Sequence, residues 1–303
     1  MATRKDTIFE QFLAPIFKVL LDRDALQRYQ QSIDWEAATR ELQNPQVVYP
    51  DYYKTAHFHG IEGGYLTSGA AVTYDPITQY VLPPGETWVR ETAIKAIQGQ
   101  PRRILDLGCG TGSTTLMLKQ AFPQAEVIGL DLAPHMLVVA KEKAQQAGLD
   151  ISFVHGNAME TGFPDASFDV VTASLLFHET PPDVAETILK EAFRLLSAGG
   201  QAIILDGNQR TLRWTEWLNN IFEEPYIRDY AAGSVDAWLG AAGFEAVKTE
   251  DFWWIHQVSS GMKPLAASMG AWGKKGAIAT VGSDSTPAVP NVIEPGTSSP
   301  LPA

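Results

Sequence analysis

The run Asp106-Leu107-Gly108-Cys109-Gly110-Thr111-Gly112 sets three glycines at alternate positions behind an acid. It separates a short apolar stretch, Arg103 to Leu107, from the helix-like stretch Ser113 to Ala121. A glycine turn lets backbone come close to a ligand, and the helix that follows offers unpaired N–H groups and partial positive charge. The spacing excludes two phosphate-binding patterns. A dinucleotide fingerprint needs G-x-G-x-x-G, and its third glycine falls at Ser113 in one frame and at Thr115 in the other. A Walker loop needs Gly-Lys-Ser/Thr, which does not follow. Cys109 is the only cysteine. With nothing basic beside it in sequence, it reads as a small buried residue rather than a nucleophile.

The elements that must position this turn alternate in type. Glu126 to Asp131 is a second strand that also ends in an acid, and Pro134 opens a helix running towards Gly148. Ile151 to His155 and Phe168 to Leu176 read as a third and a fourth strand. The fourth is almost continuously apolar, as burial on both faces demands. Pro181 and Pro182 begin a helix that stops at Gly199–Gly200, and Gln201 to Asp206 is a fifth strand. Such alternation means right-handed crossovers and a parallel sheet, with ligands bound at the carboxyl ends of the strands. Downstream, a helix over Ser234 to Ala242 precedes a hairpin of Phe244 to Thr249 and Trp253 to Val258. Upstream, residues 1–100 are aromatic-rich and irregular, with helices at about 6–21 and 87–98. The resulting organisation is a cap segment over 1–100, a core over 101–260 with a Trp-rich insertion at 207–232, and a disordered tail over 279–303, whose Pro, Ser, Thr and Gly bury too little to offset ordering entropy.

Composition narrows the function classes. Lys and Arg total 23 against 35 Asp and Glu, a net charge of −12, which opposes nucleic acid as a partner. One cysteine allows no intramolecular disulfide and suits a reducing, cytoplasmic setting. No signal peptide and no run of eighteen apolar residues is read, and no metal cluster. The amphipathic stretch from Ile8 to Leu21 suits packing on the protein's own core, with docking on a membrane surface as the alternative.

ILDLGCGTGSTT (104–115), VIGLDLAPHMLVVAKEKA (127–144), GNAMETGFPDASFDVVTASLLFHE (156–179) and RLLSAGGQAIILD (194–206) together resemble, in order and spacing, the motifs of class I S-adenosylmethionine-dependent methyltransferases. More loosely, AAVTYDPITQYVLPPGETWVRE (70–91) resembles the segment ahead of the core in ubiquinone and menaquinone methyltransferases. The resemblance implies a Rossmann-like, doubly wound α/β fold: a seven-stranded, mostly parallel sheet with an antiparallel terminal hairpin and an N-terminal helical cap. It implies S-adenosyl-L-methionine as cofactor. Gly108, Gly110 and Gly112, with Cys109 between them, would face its methionine part, and Asp106 would orient the loop and reach the amino group. Asp131 would accept from both ribose hydroxyls, Leu132 and Met159 would sandwich the adenine, and Asn157, Ala158 and Ser174 would complete the site. Two positions depart from the family. Asn157 stands where Asp is common, and Ala133 stands where a serine often caps the next helix, at about 1 kcal/mol of capping. For Met159, plain packing is an even alternative.

The implied reaction moves a methyl group onto a small, lipophilic or aromatic acceptor at carbon or oxygen. A noncatalytic S-adenosylmethionine-binding subunit is the rival. A base is needed only if the acceptor must lose a proton. His178 is the first candidate and Glu179 the second, with capping or packing of the next helix as the structural alternative for His178. His57, His59, Tyr74 and Asp75 lie in the segment expected to fold over the cofactor. Tyr74, His59, Trp214 and Trp217 are candidate acceptor contacts, since aromatic walls suit ring acceptors.

Overall fold

Successive side chains of each strand go to opposite faces of the sheet, and both faces are covered. Leu105, Leu107, Ile128, Leu130, Val171, Ala173, Ala202 and Ile204 pack into one core. Their neighbours Ile104, Val127, Val170, Ile203 and Leu205 pack into a second core on the other face. Two-sided burial is why these strands read as unbroken apolar runs. The computed structural model describes residues 21–55, 58, 64–215 and 225–265. Residues 6–20 of the helix expected over 6–21, along with His57, His59, Trp217 and the tail from 279, lie outside them.

The described N-terminal elements are α1 (Arg23–Ser32), α2 (Trp35–Leu42), α3 (Asp51–Thr55), α4 (Ser68–Val81) and α5 (Glu86–Ala96). Next come β1 (Arg103–Leu107), α6 (Ser113–Ala121), β2 (Glu126–Asp131), α7 (Pro134–Gln146), β3 (Ser152–His155) and β4 (Phe168–Ser174). A short 3₁₀ turn, Phe177–Glu179, leads into α8 (Pro182–Leu195) and β5 (Leu196–Gly207). The chain then forms α9 (Gln209–Trp214), α10 (Ile227–Ala232), α11 (Val235–Ala242), β6 (Glu245–Phe252) and β7 (His256–Met262). The seven strands lie in the order β3-β2-β1-β4-β5-β7-β6; β7 is antiparallel to both β5 and β6, and the other neighbouring pairs are parallel. This is the doubly wound arrangement expected. Chain order reverses between β1 and β4, and ligands of such sheets bind at that point. Leu107 pairs with both Leu130 and Ala173, so the ends of β1, β2 and β4 are level there.

Three expectations need correction. The segment ahead of α5 is not irregular. Side chains of Asp22, Asp34 and Thr67 accept the N–H of Ala25, Ala37 and Ala70 and start α1, α2 and α4. The helix before the fifth strand ends at Leu195, not at Gly199–Gly200, because Leu196 is already paired with Phe168 and fully buried. The hairpin strands run later than expected. Phe252 pairs with His256, so Trp253 and Trp254 form the turn, exposed, at φ 50° and 47°.

α4 and the aromatic residues before it pack on α7 through Phe58, Tyr65, Ala70, Ala71, Ala133, Met136 and Val139. Ala133 is fully buried there, so a small residue stands where a capping serine is common, and the start of α7 has no side-chain cap. His155, at the end of β3, ties the segment after α2 to this layer. The Asn44 N–H donates to its Nδ1 at 3.0 Å, and its Nε2 lies 3.0 Å from the Leu132 carbonyl and 3.1 Å from the Tyr49 hydroxyl. Since Nδ1 accepts, Nε2 carries the proton and donates to Leu132.

Burial holds the His155 pKa below its usual 6.5. Below that pH the unfolded chain therefore takes up more protons than the folded one, and the contribution of this contact falls as pH falls. The expected outcome is a loss of amide exchange protection at Asn44 between pH 7 and pH 5, after correction for the chemical rate. Its size should reflect one neutral hydrogen bond, about 1 kcal/mol. A His155→Leu variant starts with lower protection and shows no such pH step. Equal protection at both pH values in the wild type would contradict the contact.

Candidate active site

All three glycines of the turn after β1 have left-handed backbone: φ is 64° at Gly108, 53° at Gly110 and 78° at Gly112. At Gly108 the left-handed φ favours glycine, and an added Cβ would stand 2.8 Å from Leu176 Cδ1, so that side chain would have to move. At Gly110 an added Cβ would meet nothing within 4 Å, so this residue borders open space. The turn is fastened by Asp131. Its Oδ2 accepts the Gly110 N–H at 2.7 Å and its Oδ1 accepts the Ala133 N–H at 2.8 Å. Burial raises the Asp131 pKa to about 6, against these two backbone bonds, which lower it. Asp106 sits beneath the turn. Its oxygens accept from Thr115 and Thr172 hydroxyls, each at 2.7 Å. Burial also raises its pKa, opposed by those hydroxyls and by the nearby Arg90 guanidinium. These bonds tie the end of β1 to the first turn of α6 and to β4, and Asp106 does not line the cavity above it.

That cavity holds about 710 Å³ of space, partly open to solvent. Its sheet side consists of Gly108, Gly110, Asp131, Leu132, Asn157, Ala158, Ser174 and Glu179, among others. Asn157 Oδ1 accepts the Met159 N–H at 2.9 Å, an Asx turn that shapes the loop after β3. The buried Ser174 Oγ has no hydrogen-bond partner within the protein. A buried hydroxyl is seldom left unpaired, and this one belongs to a residue of the cavity wall. Gly112, Cys109 and Met159 are not part of the wall. Gly112 begins α6, the Cys109 sulfur sits near Gly129 with its thiol pKa pushed well up by burial, and Met159 packs on the core.

The cap side of the cavity is aromatic: Tyr52, Tyr53, Phe58, Tyr65 and Tyr74. Of these, sequence reasoning singled out only Tyr74. The other four lay in the zone read as aromatic-rich, and Asp51-Tyr52-Tyr53 was the available signal. Trp214 does not contribute. It is 84 % exposed, about 200° round α9 from Leu212, which packs on the core.

Of the two base candidates, Glu179 is in the cavity wall and His178 is not. Glu179 lines the cavity, and the Tyr65 hydroxyl donates to its Oε1 at 2.5 Å. His178 stands behind it, with Nδ1 2.6 Å from Asp206 Oδ1 and Nε2 3.9 Å from Glu179 Oε1. The Asp206 carboxylate also accepts the N–H of Phe177 at 2.8 Å, which fixes the 3₁₀ turn carrying both residues.

Asp75, on α4, joins the cap to the glycine turn and α7. Its carboxylate takes the Thr111 hydroxyl at 2.5 Å and Lys143 Nζ at 2.6 Å, with Ser113 Oγ at 3.3 Å.

Residues 104–200 match a family model described as a methyltransferase domain. A demethylmenaquinone methyltransferase of Thermus thermophilus is 41 % identical over 119 residues, 39 % of this chain and 53 % of that protein. One from Deinococcus radiodurans is 40 % identical over 142 residues, 46 % of this chain and 58 % of that protein. The chain thus spans little more than half the length of these relatives. Among solved structures, Haemonchus contortus phosphoethanolamine N-methyltransferase 2 with S-adenosyl-L-methionine aligns at a TM-score of 0.51 and 17 % identity, over 73 % of this chain and 61 % of that one. A putative O-methyltransferase of Nostoc punctiforme aligns at 0.53 and 19 %, over 76 % and 67 %. At such identities the likeness is one of fold. Among the described residues no helix is long and apolar enough to cross a membrane.

Substituting Asp75→Ala leaves the half-buried Lys143 with the Ser113 hydroxyl but no carboxylate partner, and takes an acceptor from the glycine turn. The expected cost is about 1–3 kcal/mol in urea unfolding, the scale of hydrogen bonds to a charged group, with faster proteolysis within 21–81. Unchanged unfolding and proteolysis would rule out Asp75 as the fastening.

Proposed function

We propose that this protein, whose residues 104–200 match a methyltransferase-domain model, binds S-adenosyl-L-methionine and transfers its methyl group to a small, lipophilic or aromatic acceptor, of which a quinone-type ring is the best-supported example. The observation that carries the reading is one cavity between the glycine turn and the aromatic cap, with the Asp131 carboxylate and the unpartnered Ser174 hydroxyl in its wall. The relatives named demethylmenaquinone methyltransferase support the acceptor class.

Gly108 and Gly110 would admit the methionine part, which a side chain at Gly110 would displace. Asp131 would accept from the ribose hydroxyls, and Leu132, Asn157 and Ala158 would hold the adenine. When bound, the cofactor supplies a methyl group already activated on a cationic sulfonium. The protein's task is to position the acceptor and exclude water, and alignment of this kind is worth roughly 7–11 kcal/mol of a barrier. The negative field of Asp131 and Glu179 suits the sulfonium. Glu179, in the cavity wall, takes the role of proton acceptor where the acceptor loses one. His178, held by Asp206, is a positioning residue behind it.

Two measurements test these roles. Calorimetric titration with S-adenosylhomocysteine should show Asp131→Ala weakening binding by about 1–3 kcal/mol. The wild-type affinity should also rise with pH up to about 6 and level off above it, because the ribose hydroxyls need the ionised carboxylate and burial keeps it protonated below that point. An unchanged dissociation constant in the variant, or a flat wild-type profile, counts against the ribose role. Separately, Glu179→Gln should slow methyl transfer to a reduced short-chain demethylmenaquinone by about 10²-fold, the usual scale for a positioned base, while S-adenosylhomocysteine binding stays within about twofold. An undiminished rate would remove Glu179 from the chemistry.

A further inference from the structure

The charges of the cavity wall decide which acceptors it admits, an inference that rests on the methyl-transfer reading. Among the described residues the wall holds two carboxylates, Asp131 and Glu179, and no lysine, arginine or histidine. Four of the five cap-side rings are phenols. Glu179 is fixed by one of them, since the Tyr65 hydroxyl donates to its Oε1 at 2.5 Å. Tyr65 is fixed in turn. Its ring stacks on Phe58 at 5.3 Å and 9°, and it meets Tyr74 edge-on at 5.9 Å and 77°.

These phenols show what the site does to a ring hydroxyl. Burial raises the Tyr52 pKa above 10, and the charges of Glu179 and Asp131 raise it further. Tyr53 is pushed up by burial and the same two charges. A phenolic acceptor in this cavity is the same chemical group in the same field, so its ionisation is opposed too. A ring bearing a carboxylate or phosphate would meet the like charges of Asp131 and Glu179, and the described residues that line the cavity include no cationic side chain, which costs affinity. An uncharged ring that donates O–H or N–H would meet a carboxylate able to accept more than one donor. We infer that the Tyr65–Glu179 pair is the charge filter of the acceptor site: it admits uncharged rings that donate a hydrogen bond and rejects carboxylated or phosphorylated ones.

The test uses three probes of one shape: 2-naphthol, 2-naphthoate and 2-methoxynaphthalene, titrated by calorimetry at pH 7.5 into the full chain saturated with S-adenosylhomocysteine. Naphthol should bind about tenfold or more tighter than naphthoate, and severalfold tighter than the methoxy compound, which cannot donate. In Glu179→Gln, which keeps an acceptor for Tyr65 but carries no charge, the naphthol-to-naphthoate ratio should fall towards one. In Tyr65→Phe the rejection of naphthoate should persist, while the preference for naphthol over the methoxy compound shrinks. Equal binding of naphthol and naphthoate by the wild type, a wild-type ratio retained in Glu179→Gln, or no binding of any probe would each overturn the inference. A prior titration with S-adenosylhomocysteine alone separates the two levels. If the cofactor product does not bind, the methyl-transfer reading fails, and the same probe ratios in the cofactor-free chain still decide the filter.

Discussion

A buried carboxylate that bonds two loops at once is the constraint on which the site depends. Asp131 ends β2 and accepts the N–H of Gly110 from one turn and that of Ala133 from another. Two backbone donors and the β1–β2 register together set where the glycine turn can lie. The cost of placing that charge in the interior shows in its raised pKa. A group held against its own preference for the neutral form is one that a ligand with hydroxyl donors can relieve.

The rest of the fold serves this arrangement in layers. β1, β2 and β4 end level, so the glycine turn, Asp131 and Ser174 reach one rim. Asp106 holds that rim from below through Thr115 and Thr172. From above, α4 presses its aromatic neighbours onto α7 and fastens through Asp75. Behind β4, the 3₁₀ turn is pinned to Asp206, which sets Glu179 at the cavity and His178 one layer back. Each functional group thus hangs from a strand end, where the sheet's hydrogen bonds limit its movement.

Much of this was legible in the residues. Where burial is two-sided and turns are marked by glycine or proline, the strands and helices of residues 103–146 matched their expected bounds closely, because local pattern and global packing agree there. Legibility failed where tertiary contacts decide. Leu195 and Leu196 look like one helix, but pairing with Phe168 makes Leu196 a strand residue. Trp253 and Trp254 look like strand, but the pairing of Phe252 with His256 leaves them to the turn. In the cavity wall, Gly108, Gly110, Asp131, Asn157 and Ser174 were legible because they fall within motifs. Tyr52, Tyr53, Phe58 and Tyr65 were not, since a wall assembled from separate loops leaves no spacing to read. That Glu179 lines the cavity while His178 bonds Asp206 could not be read either, since adjacent residues in a 3₁₀ turn carry no sign of that in sequence.

The central claim is that this crevice is built for a sulfur-containing nucleoside and not for a dinucleotide. Thermal unfolding of the full chain, with S-adenosylhomocysteine and separately with NADH over a range of concentrations, tests it directly. The account predicts an unfolding temperature that climbs with S-adenosylhomocysteine concentration, as binding to the folded state alone requires, and no change with NADH. A rise with NADH alone would contradict it.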